Sequence, residues 1–89
     1  MALTQKTEGR PSGGDIEFLM YDTSNGIVTV TVSQEALEDY ADPRGLSGDT
    51  LSIFHNALAD IIEAADKVYD RDGTNPRRLL VSTRDLNGN

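Results

Sequence analysis

The sequence predicts a small α+β domain of order β-β-α-α-β. A β-hairpin and a third, C-terminal strand form a small antiparallel sheet, packed by one short and one long helix. Three observations carry this expectation. Two β-rich runs, IEFLMYD over residues 16–22 and IVTVTV over 27–32, flank Asn25-Gly26, the strongest short-range hairpin signal. Apolar residues then recur at helical spacing from Leu51 to Val68, and a last apolar run, Leu79-Leu80-Val81, follows a Gly- and Pro-containing break.

Residues 1–14, MALTQKTEGRPSGG, hold one Leu and one Met among Gly, Pro, Ser, Thr and charged residues. That is too little apolar surface to offset the entropy of ordering, so they are expected to be a flexible tail. The domain is expected over residues 15–86, with 87–89 a short C-terminal tail. A three-residue hairpin loop, Ser24-Asn25-Gly26, sets Met20 opposite Val30 and Phe18 opposite Val32, with Gly26 in the left-handed position of a bulge. Ile16, Phe18 and Met20 then share a face with Val28, Val30 and Val32.

Ser33 is the expected N-cap of the short helix, accepting from the backbone N–H of Glu35 or Ala36, and Glu35 suits the positive end of the helix. Ala36, Leu37, Tyr40 and Ala41 fall on one face. Asp42-Pro43-Arg44-Gly45 breaks the helix. The long helix is expected from about Asp49 to Asp70, with Ser47 and Asp49 as cap candidates. Its stripe of Leu51, Phe54, Leu58, Ile61, Ala65 and Val68 is widened by Ile53, Ala57 and Ala64 to an arc of roughly 180°. That is wider than one sheet face needs, so Ile53, Ala57 and Ala64 are candidates for contact with the first helix or with another protomer. The third strand is expected over Arg78–Thr83, before a polar end.

The words VTVSQEALEDYA, FHNALADIIEAADKVYDRD and LLVSTRDL, in that order, resemble a small bacterial family, domain of unknown function 1488 (DUF1488). The resemblance covers about residues 16–86. It implies a compact single-domain α+β fold in a bacterial cytoplasmic protein and implies no activity. The longer polar N-terminus and the segment TNPRR before the last strand depart from the family pattern.

Composition narrows the chemistry. The 89 residues include 15 acidic and 8 basic side chains, for a net charge of -7, with one His and no Cys. The missing cysteines exclude a disulfide framework, a thiolate zinc site and a cysteine nucleophile. A cytoplasmic location is expected, because no apolar signal-peptide core follows Lys6 and no 18-residue apolar stretch is present. Charge divides unevenly: residues 1–14 carry +1, residues 15–75 carry -10 and residues 76–89 carry +2.

Few residues suggest catalysis or metal binding. Asp70-Arg71-Asp72-Gly73-Thr74-Asn75 opens like a calcium loop, but Asn75 stands where Gly is wanted and Val81 where a bidentate Glu is required. It reads as a helix end with Gly73 or Asn75 in the positive-φ position. His55, the one imidazole, falls at the border between the apolar and polar arcs of the long helix. Carboxylates at i and i+4, Glu35 with Asp39, Glu38 with Asp42 and Asp66 with Asp70, read as solvated faces. No catalytic residue, cofactor or metal is expected. Arg77, Arg78 and Arg84 are candidates for binding an anionic partner. They are too few to track a phosphate backbone, and net charge opposes nucleic-acid binding.

The expected function is therefore a non-catalytic protein-interaction module or homo-oligomer, with no membrane or nucleic-acid partner. The first strand supports this by being apolar on both faces, Phe18 and Met20 on one and Leu19 and Tyr21 on the other. The alternative is an acidic nucleic-acid mimic or regulator that binds a basic protein through Glu35, Glu38, Asp39, Asp60, Glu63 and Asp66. A carboxylate-based enzyme ranks last.

Overall fold

A computed structural model describes residues 3–72 and 77–87. It shows an α+β fold with helices on one face of a small mixed sheet. The strands are β1 (Thr4–Gln5), β2 (Arg10–Ser12), β3 (Asp15–Tyr21), β4 (Ile27–Val32) and β5 (Arg78–Val81). The helices are α1 (Gln34–Ala41), α2 (Thr50–Asp72) and α3 (Thr83–Asn87), with a 3-10 turn at Asp42–Arg44. β3 pairs with β4, which pairs with β5, while β1 and β2 both lie along the other edge of β3.

Strict alternation in β3 and β4 sends Ile16, Phe18, Met20, Val28, Val30 and Val32 into the core, each at most 1% exposed. The hairpin register is Phe18 opposite Val30 and Met20 opposite Val28, two residues away from the expected pairing. The cause is Asp22. Its backbone N–H bonds the Gly26 carbonyl and its side chain accepts from the Ser24 and Gly26 amides, closing a five-residue loop from Asp22 to Gly26. A shift of two preserves side-chain parity, so the expected faces are the observed ones. Asn25, with φ 61°, takes the left-handed position assigned to Gly26.

Residues 3–12 are built into the sheet, which corrects the expectation of a tail through residue 14. Leu3 is 2% exposed and its amide donates to Asp66 Oδ1 at 3.2 Å. Thr4 lies opposite Tyr21 and Arg10 opposite Glu17. Between them, Lys6–Gly9 sets four residues against Phe18 and Leu19, a bulge held by the Lys6 and Thr7 amides on the Leu19 carbonyl. Gly9 is required there, because a Cβ would lie 2.5 Å from the Phe54 ring and 2.6 Å from Ile16. These strands owe their order to main-chain pairing with β3, which composition does not register.

Caps form at Ser33 and, of the two candidates for the long helix, Ser47 and Asp49, at Asp49. Ser33 Oγ accepts from the Ala36 amide at 3.1 Å, and Asp49 Oδ1 accepts from the Ser52 amide at 2.8 Å. Gly45, at φ 66°, ends the 3-10 turn after Pro43. α2 lays Phe54, Ile61 and Ala65, all fully buried, on the sheet, with Phe54 edge-on to Phe18 at 5.3 Å between ring centres.

β5 runs parallel to β4, with Val30 opposite Leu79 and Val32 opposite Val81, which corrects the all-antiparallel sheet. α2 ends beside the hairpin turn, where Tyr69 reaches Asp22. A strand that starts there must run in the same sense as β4, which leaves the same turn. The expected polar end also folds, as α3. Ser82 and Asp85 form a reciprocal capping box, the Asp85 amide donating to Ser82 Oγ at 3.3 Å and the Ser82 amide to Asp85 Oδ2 at 3.2 Å. The expected positive-φ turn at Gly73 or Asn75 lies outside the described residues. Among the described residues, no helix is long and apolar enough to cross a membrane.

Candidate functional site

The alternation that fills the core also builds a second surface. Three rows of side chains cross the sheet face turned away from the helices: Glu17, Thr31 and Leu80; Leu19, Thr29 and Arg78; Tyr21 and Ile27. Leu80 is 57% exposed and Ile27 39%, the two exposed large apolar side chains among the described residues. Leu19 and Tyr21 are half-buried. Among the described residues, no helix covers this face. At one margin Lys6 Nζ sits 5.7 Å from the centre of the Tyr21 ring, and Arg10 pairs loosely with Glu17 at 3.9 Å. A depression of about 290 Å³ there is lined by Thr7, Glu8, Arg10, Glu17, Phe18 and Leu19. The face is mainly Thr, Leu, Ile and Tyr, a composition suited to contact with protein.

The three candidate arginines do not converge. Arg77 Nη2 donates to Asp22 Oδ2 at 2.6 Å, and Arg77 Nη1 to the Ile27 carbonyl at 3.3 Å, so its guanidinium serves the hairpin turn. Asp22, only 8% exposed, also receives the Tyr69 hydroxyl at 3.5 Å. The Arg77 hydrogen bond, reinforced by the Gly26 and Ser24 amides, holds the Asp22 carboxyl below the usual carboxylate range. Arg78 stands exposed on the helix-free face in the row with Thr29 and Leu19. Arg84 lies in α3.

Ile53, Ala57 and Ala64 are 6%, 1% and 5% exposed. Ile53 borders a depression with Ala41 and Leu46, and Ala64 borders one with Arg44 and Leu86. The small-residue side of α2 is thus covered within the chain, the first of its two expected neighbours.

On the helical layer, the Tyr40 hydroxyl donates to Asp60 Oδ2 at 2.6 Å, and that bond holds the phenol above its ordinary pKa. The Arg44 guanidinium stacks 3.8 Å from the Tyr40 ring centre and donates to the Tyr40 carbonyl at 2.9 Å. Arg71 pairs with Asp85 at 3.1 Å. Burial pushes the Asp85 carboxyl up, but the Ser82 and Arg71 hydrogen bonds outweigh it and leave it low. A polar groove of about 200 Å³ runs past Arg44, Asp60, Glu63, Lys67 and Asp85. His55 is exposed, beside Phe54 at 5.7 Å between ring centres.

Among the six carboxylates considered for mimicry, Asp60 is bonded to Tyr40, Glu63 lies 3.3 Å from Lys67, and Asp66 accepts from the Leu3 amide. Glu35, Glu38 and Asp39 project from the exposed side of α1. Among the described residues, no three His, Asp or Glu side chains gather as a metal site. Sequence reading missed the Asp22 cluster and the α3 cap. The second had a visible signal, Ser82-x-x-Asp85, the capping-box spacing.

No protein-family model, curated protein or solved structure matches the chain.

Proposed function

We propose that this chain is a non-catalytic protein-interaction module that docks a partner protein through the helix-free face of its sheet. The observation that carries the reading is the row pattern of Leu19, Tyr21, Ile27 and Leu80 on the face turned away from the helices, with the two most exposed large apolar side chains among the described residues on it. The helical side, by contrast, presents exposed Glu35, Glu38 and Asp39 and closes its apolar residues internally. A cytoplasmic setting is part of the proposal and agrees with the cysteine-free sequence. The resemblance to domain of unknown function 1488 is compatible with it, since it implies a bacterial cytoplasmic protein and no activity. The mimic reading is weaker, because half of its six carboxylates already serve contacts within the chain.

The test compares the two faces in cell extract. The native chain is expected to elute from size exclusion well above its 9.7 kDa mass. Thr29→Lys, on the open face, returns it to the monomer position, and Asp39→Lys on α1 does not. Elution of the native chain as a monomer, or dissociation by Asp39→Lys alone, contradicts the proposal.

A further inference from the structure

The outer edge of β5 is a second feature of the same surface. The Thr29 and Ser33 amides donate to the Arg77 and Val81 carbonyls. By the alternation of a parallel pair, the amides and carbonyls of Arg78 and Leu80 therefore point away from β4. Among the described residues no strand pairs with that edge. The opposite edge of the sheet is defended: its strands are two and three residues long, interrupted by the Lys6–Gly9 bulge, and carry Pro11. β5 has neither bulge nor proline, and it places an exposed guanidinium and a 57% exposed Leu80 on the open face beside those outward groups.

Resting on the docking reading above, we infer that β5 takes up an extended acidic segment of a partner protein as an added antiparallel strand, in the order apolar-x-acidic. Its acidic side chain lies opposite Arg78 and its apolar side chain opposite Leu80, and its main chain pairs with the amides and carbonyls of both residues.

Charge selects this occupant over a second copy. In the self-pairing that uses all the outward groups, Arg78 faces Leu80 of the other copy. The two guanidinia then sit on one face at the diagonal spacing of about 7–8 Å, like charges within reach of each other. A register shifted to pair Leu80 with itself sets Arg78 against Ser82, whose amide is already given to Asp85. A carboxylate opposite Arg78 removes the conflict and fills the row of Leu19, Thr29 and Arg78 at its outer end.

The experiment is an NMR titration of the isotope-labelled full chain with the peptide acetyl-Thr-Thr-Val-Thr-Glu-Thr-Thr-amide. Shifts centred on the Arg78 and Leu80 amides are expected, with weak affinity. Replacing the peptide Glu by Lys is expected to weaken binding roughly fivefold, and Arg78→Glu to reverse that preference. Leu80→Pro removes an outward amide that the fold does not use, is tolerated at an edge, and is expected to abolish the shifts. Shifts centred elsewhere, no shift, equal binding of the Glu and Lys peptides, or a dimer by light scattering that Leu80→Pro dissolves would each overturn the inference. Failure here, with Thr29→Lys still dissolving the complex in extract, leaves the docking face standing and removes only the added strand.

Discussion

Arg77 Nη2 lies 2.6 Å from Asp22 Oδ2, and that ion pair joins the hairpin turn to the residue from which β5 departs. The Asp22 side chain is 5% exposed and its other oxygen accepts the Ser24 and Gly26 amides. One carboxylate thus closes the turn, receives Tyr69 at the end of α2 and fixes where the parallel strand begins.

Asp22→Asn is expected to lower Tm by about 5–10 °C at pH 7. The folded carboxyl sits below its unfolded pKa, so its contribution is present above that unfolded value, near pH 4, and is lost as pH falls through the folded one. Thermal melts from pH 7 to pH 3 should show the gap between native and variant chains closing in acid. A gap that stays constant across this range would mean that the charge of Asp22 is not what holds the turn.

Leu3→Ala is expected to cost about 2–3 kcal/mol in urea unfolding, the lower range for truncating a buried leucine. A flexible terminus gives no measurable change, so the same experiment separates a sheet-bound N-terminus from a tail.

Gly9→Ala is expected to cost about 1–3 kcal/mol, because the added methyl meets the Phe54 ring. Combined with Phe54→Leu, which makes room, the two losses should be less than additive. Full additivity would place Gly9 away from Phe54.

Tyr40→Phe removes the hydroxyl bonded to Asp60 and is expected to cost about 1 kcal/mol. In the native chain this phenol is held above its ordinary value of about 10. The stabilisation is complete below that value and is lost as pH rises through the folded one. A phenolate absorbance titration should show a late step that is missing from Tyr40→Phe.

What could be read from the sequence was local. Asn25-Gly26 marks the turn, Ser33 and Asp49 mark helix starts, and period-two and helical spacings assign Phe18, Val30, Phe54 and Ile61 to one core. What could not be read depended on partners distant in the chain. The direction of β5 follows from where α2 ends, and Leu3 is ordered by β3 and by Asp66, 63 residues away. Arg77 looks like a surface cation until Asp22, 55 residues back, is beside it. Ile53, Ala57 and Ala64 had two permitted neighbours by sequence, and the chain supplies its own. The helix-free face was half legible: Leu19 and Tyr21 announce an apolar outer side to β3, whereas the place of Arg78 and Leu80 in its rows requires the parallel register.

The central claim, docking through the helix-free face, is tested most directly by photo-crosslinking inside living cells. A photoreactive phenylalanine analogue is placed in turn at Thr29 and Leu80 on the open face, and at Glu38 and Asp39 on α1. The account expects one discrete adduct shared by the Thr29 and Leu80 positions and none from Glu38 or Asp39. An adduct formed from the α1 positions while Thr29 and Leu80 give none would contradict it.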